Sequence, residues 1–311
     1  MVEQRDPKAS ESLFSKAFSL LRQTFQEWLQ DKVPQLGAAL AYYTVFSLAP
    51  LILILLAIVG VVFRDDPAGA WDKLTQQMSY FLDPSAVQVV QEIAQKASQP
   101  GKSTLATLIG IALALFGASG VFGQLQDALN TIWGVKAKPG RGIWGFLRAR
   151  FLSFAMVAGI CFLLLVSMAL QAMLKIFSEY VQSVLPGGLA VALTVYLIFD
   201  FGIVVLLFAM IFKFLPDVKI QWRDVWIGAI VTALLFGLGK WLLGLYLGSG
   251  AASSAYGAAS SLITLLLWVY YSSQILLFGA EFTQVYAARV GRELAPDDYA
   301  VRVETKEVRV E

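Results

Sequence analysis

The chain has 311 residues, 58% of them hydrophobic and only 15% charged, with a formal net charge of +2. A soluble domain of this size is typically about a quarter charged, so the composition excludes an ordinary soluble protein, and the small net charge supplies no basic field for nucleic acid. With no histidine and a single cysteine, Cys161, an intrachain disulfide is excluded and the commonest general base and transition-metal ligand are missing. No cofactor or metal is expected.

The first residues are charged and polar and lack the short apolar region of a cleavable signal peptide, so the first hydrophobic span is expected to direct insertion. Residues 11–31, ESLFSKAFSLLRQTFQEWLQD, place Leu13, Phe14, Phe18, Leu21, Phe25 and Trp28 near one helical face. They predict an amphipathic helix on the cytoplasmic leaflet, or one docked on the protein.

A bilayer core about 30 Å thick needs about 20 apolar helical residues. Six stretches qualify: 37–63, 104 to about 125, 151–174, 189–212, about 225–248 and 260–286. The expected fold is therefore an all-α membrane bundle of six helices. Residues 1–36 precede it and a charged tail, 289–311, expected to be disordered, follows it. The connection 64–103 contains AWDKLTQQMSYFL and DPSAVQVVQEIAQKAS, two helical patterns expected to cover the outer mouth. Eighteen Lys and Arg residues fall on the side of the N-terminus and five on the other, with Lys240 inside a span. This predicts both termini on the cytoplasmic side.

Several motifs carry weak or bland readings. QPGKST (99–104) resembles the end of a phosphate loop, but Lys96 stands where the first glycine belongs. Gly117, Gly120 and Gly123 read as small residues that let helices approach, or that permit a break in the helix; Gly237, Gly244 and Gly248, with Ala229 and Ala233, read as helix contacts. Such ridges serve contacts within the chain or between copies, so a homo-oligomer is one arrangement they allow.

Charges within spans are costly and point toward protein or water. Asp200 and Lys240 lie at similar depth, which makes a pair geometrically feasible, as a clamp or as part of a transport path. Thr264, Tyr271, Gln274 and Glu281 share one face of the sixth span, either lining a cavity or filling a seam. Asp127 and Glu281 fall at the level of Arg148, Arg150 and Arg223, and the set is expected to form a polar ring at the inner mouth. The three arginines are candidates for an anionic headgroup. Trp133, Trp144, Trp222 and Trp226 stand where an interfacial aromatic belt belongs.

The segments ALAYYTVFSLAPLILILLAIVG, GASGVFGQLQDALNTIWGV, FLPDVKIQWRDVWIGAIVTALLFGLGKWLLGLYL and YGAASSLITLLLWVYYSSQILLFGAEFT resemble the YihY/BrkB family of bacterial inner-membrane proteins. The resemblance implies six membrane helices and a cytoplasmic N-terminus. It carries over Asp127, Asn130, Pro216, Asp224, Gly239, Lys240, Tyr246, Tyr256, Gly257, Gly279 and Glu281, while Asp200 lies outside its motifs. Members of the family have been labelled ribonuclease BN or virulence and serum-resistance factors, and some are suspected in lipid handling. RNA hydrolysis generally uses a metal cluster or a histidine pair, and this chain offers neither, so no enzyme is expected. The expectation is a transporter or amphiphile translocator with membrane lipids as partners and a polar cavity reaching the cytoplasm. Asp127, Asn130, Asp200, Lys240, Tyr271, Gln274 and Glu281 are its candidate residues. The alternative is a non-transporting scaffold or envelope-assembly factor.

Overall fold

The computed structural model describes residues 13–62, 64–79, 84–97, 120–138, 188–248, 260–292 and 294–303, with isolated positions at 159, 162, 163, 166 and 173. Eight helices account for most of these residues. α1 (Leu13–Gln30) and α2 (Val33–Val62) are separated by a two-residue turn. Lys32 there has φ 55°, a left-handed conformation that breaks the helical path. α3 (Pro67–Met78) opens with Pro67 in its first position, and the Asp66 carboxylate accepts from the Gly69 amide at 2.9 Å. That is an N-cap followed by a proline whose missing N–H costs nothing there. α4 (Pro84–Ala97) follows.

Residues 120–132 form α5, and Gly134 (φ 59°) turns the chain into β1 (Val135–Ala137). α6 (Gly188–Phe214) leads through residues 215–217 to β2 (Val218–Lys219), and α7 (Trp222–Gly248) follows. α8 (Ser260–Arg289) is succeeded by β3 (Ala295–Pro296) and β4 (Ala300–Arg302).

The outer connection folds as two helices packed on α2. Val90 and Ala94 of α4 meet Ile52, and Ala70 and Leu74 of α3 meet Val59. The main core lies at the opposite end of the bundle. There Leu129, Phe212, Leu215, Ile220, Val225 and Leu277 are buried together with Trp133. Trp133 is therefore a core residue and not part of an interfacial belt, whereas Trp222 and Trp226 are exposed at the start of α7.

Among the described residues, three stretches are long and apolar enough to cross a membrane: Thr194–Phe214, Trp222–Leu245 and Leu262–Arg289. They coincide with the fourth, fifth and sixth expected spans. Residues 37–62 of the first expected span lie within α2. Of the second, only positions from 120 onward are described, and most of the third lies outside the described residues. On α6 and α7, Leu197, Ile198, Leu234, Leu238, Trp241 and Leu245 face outward. A soluble protein would bury such a surface; a bilayer accepts it without cost.

The expected disordered tail is corrected for residues 294–303. β4 pairs antiparallel with β1, with Lys136 opposite Val301, and β3 pairs with β2, with Val218 opposite Pro296. Residues 304–311 lie outside the described residues. The tail is held because Gly291 (φ 72°) ends α8 in a left-handed turn. The Arg292 amide donates to Ala287 O and the Gly291 amide to Ala288 O, at 3.2 and 3.0 Å. This paired pattern returns the chain toward the bundle.

Candidate functional site

The bundle interior contains a cavity of about 370 Å³. α2 contributes Leu40 and Thr44; α5 contributes Val121 and Leu125; α6 contributes Ile203, Val204, Leu207, Phe208 and Ile211. Phe236 of α7 and Trp268, Ser272, Ser273 and Leu276 of α8 complete most of the wall. The lining is almost wholly apolar, which corrects the expected polar cavity. The reason lies in the rotation of α8. The face that turns into the cavity carries Trp268, Ser272 and Leu276, while the polar stripe faces other helices.

Three members of that stripe meet identifiable neighbours. Tyr271 packs its hydroxyl into the space a side chain would need at Gly239 of α7, and Gln274 does the same at Gly37 of α2. Glu281 is buried at 1% exposure and hydrogen bonds the Asp31 side chain in the turn between α1 and α2. Thr264 is buried near the other end of α8. The stripe is thus a seam between helices.

The Glu281–Asp31 contact joins two carboxyl groups, and such a bond needs a proton between them. Burial lifts the Asp31 carboxyl above the ordinary carboxylate range; the Glu281 hydrogen bond opposes this and the Glu27 charge adds to it. α1 is held to α8 a little farther on, where Arg289 donates to Gln23 Oε1 and Ser19 Oγ, both at 2.8 Å. With Ser19, Gln23 and Asp31 turned to α8, the opposite face of α1 leaves Phe18, Leu21, Phe25 and Leu29 exposed. The helix is docked on the protein and still presents an apolar stripe.

The expected polar ring does not close among the described residues. Asp127 is exposed on α5, on the same helix as Asn130, and has Asp217 and Lys136 as its charged neighbours. Arg223 is exposed at the start of α7. Arg148 and Arg150 lie outside the described residues, as do Gly117, Tyr256 and Gly257; Tyr246 and Gly248 fall in the last turn of α7.

A different centre organises this end of the bundle. Asp217 is buried, and its carboxylate accepts from Asn130 Nδ2 and Gln126 Nε2, each at 3.0 Å. Its amide donates to Asn130 Oδ1 at 2.8 Å, and its carbonyl accepts from the Asp297 amide at 3.0 Å. Asp217 thereby ties α5, the α6–α7 connection and the tail together. Pro216, buried beside it, fixes the turn that presents it. Next to it Asp224, in the first turn of α7, forms an ion pair with Arg292. Asp217 and Arg292, like Asp31, are residues that sequence reasoning missed. The available signal was an aspartate directly after an apolar span, in FLPDVK, within a segment that carried the family resemblance.

Asp200 and Lys240 are each half-buried and lie within reach of one another's charge. Yet the ion pairs closed within 4.0 Å among the described residues are Arg292–Asp224 and Lys219–Asp298.

The glycines expected at helix contacts divide. Gly120 meets Tyr43, but a side chain at Gly123, Gly237 or Gly244 would meet no atom within 4 Å. Among the described residues, those three face no neighbouring helix. The close approaches occur instead at Gly228, Gly239 and Gly279. Gly228 packs on Thr283 and Gly279 on Thr232. Each threonine hydroxyl also donates to the glycine carbonyl four residues earlier in its own helix, at 2.7 and 2.6 Å. Ala229 and Ala233 are buried in the same region.

A family model described as Virulence factor BrkB matches residues 24–302. A UPF0761 membrane protein of Stenotrophomonas maltophilia is 28% identical over 282 residues, covering 88% of this chain and 62% of the relative. One of Albidiferax ferrireducens is 30% identical, covering 84% and 61%, and one of Pseudomonas aeruginosa 26% identical, covering 86% and 62%. The chain thus spans about three-fifths of the length of these relatives. No solved structure matches it.

Proposed function

The chain belongs to the BrkB virulence-factor family of membrane proteins, and from that premise we propose that it translocates lipid-like amphiphiles. The observation that carries this reading is the apolar cavity lined mainly by α2, α5, α6, α7 and α8. Its volume, about 370 Å³, falls in the range of small-molecule sites, roughly 300–1,000 Å³. An acyl chain fits its chemistry. A tail leaving the bilayer for this cavity exchanges one hydrocarbon surrounding for another, so entry is close to neutral. The protein is read as an inner-membrane protein with both termini in the cytoplasm, supported by the distribution of Lys and Arg. The exposed stripe on α1 supports contact with the same leaflet. No catalytic reaction is assigned.

The hydrogen bonds of Asp217 and the Asp224–Arg292 ion pair favour a second reading, a scaffold that moves nothing. Reconstitution discriminates the two. Vesicles containing the full-length protein and a fluorescent phospholipid should show flux above protein-free vesicles. Leu207→Trp and Leu125→Trp, which fill the cavity, should each reduce it at least about tenfold at equal incorporation. Flux no greater than that of empty vesicles would leave the scaffold reading.

A further inference from the structure

We propose that Asp200 and Lys240 bind the headgroup of a zwitterionic amphiphile whose tail lies in the apolar cavity. This rests on the translocator reading and names its substrate class.

Position supplies the first argument. Ile203, Val204 and Leu207 of α6 line the cavity. Asp200 precedes Ile203 and Val204 by three and four residues, so it continues their face about one turn, or 6 Å, farther along α6. On α7, Phe236 lines the cavity, and Lys240 stands four residues beyond it. α6 and α7 are joined by residues 215–221 and run in opposite directions. Moving toward the start of α6 and toward the end of α7 therefore leads to the same end of the cavity. That end lies away from Asp217 and Glu281. Nearby, the Tyr271 hydroxyl fills the space at Gly239, which fixes the backbone next to Lys240.

Charge supplies the second. Among the described residues neither side chain makes a hydrogen bond or an ion pair within 4.0 Å, although each is half-buried and senses the other. A separated acid and base of zero combined charge has an evident complement. An anionic headgroup would satisfy Lys240 and oppose Asp200; a cationic one would do the reverse. A head carrying an ammonium and a phosphate gives each protein charge an opposite one. Since the tail gains little from the cavity relative to the bilayer, selection falls to this end.

The test uses the full-length protein in detergent and single-chain amphiphiles of equal tail length. One carries a phosphoethanolamine head, one a phosphoglycerol head and one a neutral sugar. Binding is read by native mass spectrometry. The wild type should favour the phosphoethanolamine amphiphile about tenfold, the effect of one additional charged contact. Asp200→Asn should move the preference to the phosphoglycerol head, and the exchange Asp200→Lys with Lys240→Asp should restore it. Equal binding of all three by the wild type overturns the proposal, and this measurement stands even if a variant fails to fold. An unchanged preference in folded Asp200→Asn also overturns it. Indifference to headgroup with intact lipid flux rejects this inference alone. Loss of flux, with Leu207→Trp leaving binding unaffected, rejects the translocator reading beneath it.

Discussion

Glu281 is a carboxyl at 1% exposure whose hydrogen-bonding neighbour is a second carboxyl, Asp31. One oxygen of Glu281 is buried without a hydrogen bond, and no ammonium or guanidinium is bonded to either group among the described residues. For Asp31, burial first and Glu27 second raise the carboxyl above its ordinary value of about 3.9, despite the opposing Glu281 bond. The folded protein thus binds more protons than the unfolded chain across the window from about pH 4 up to that raised value. Stability accordingly falls as pH rises through the window. Thermal melts of the wild type should decline with pH there, and Asp31→Asn should melt higher at neutral pH with a shallower slope. A steeper decline in the variant would contradict the assignment. The sequence exposed Glu281 as an acid in an apolar segment. It could not reveal Asp31, because nothing local marks a turn residue as the mate of a position 250 residues away.

At the scale of the element, the seam between α7 and α8 shows how far a pattern can be read. Small residues at fourfold spacing were legible, but spacing does not say which way a helix is rotated. Gly237 and Gly244 turned out to face open space, while Gly228, Gly239 and Gly279 receive Thr283, Tyr271 and Thr232. A methyl at Gly239 would fall 1.1 Å from the Tyr271 hydroxyl oxygen, and one at Gly228 1.8 Å from Thr283 Oγ1. The aromatic ring and the branched threonine have little room to yield. Gly239→Ala and Gly228→Ala should each destabilise the protein by about 1–3 kcal/mol, the usual cost of overpacking. Gly237→Ala should be neutral or stabilising by up to about 1 kcal/mol, since it removes only helical glycine's extra freedom. Thermal melts of the three variants in one detergent check the contrast; equal losses at all three would refute the seam.

At the scale of the whole molecule, the apolar helices were legible because hydrocarbon imposes length and composition together. The clasp formed by the tail was not, because strands of two or three residues have no period to detect. Their pairing is enforced from outside, by the turn at Gly291 and the burial of Asp224 beneath Arg292. Truncation after Gly291 removes Arg292, β3 and β4 and leaves Asp224 buried without its counter-charge. Breaking such a pair costs about 3–5 kcal/mol. The truncated chain should lose at least that much stability, with Arg292→Ala reproducing most of the loss in urea or thermal unfolding. An unchanged midpoint would show that the tail is held only loosely.

The clamp between Arg289 and α1 has a consequence for synthesis. Ser19 and Gln23 leave the ribosome 270 and 266 residues before the arginine that grips them. At 5–20 residues per second, that interval is on the order of ten to fifty seconds. Throughout it, Ser19 and Gln23 lack the arginine that will grip them. Its oily flank is ready from the outset, so the nascent helix can rest on lipid long before the last helix arrives to fasten it.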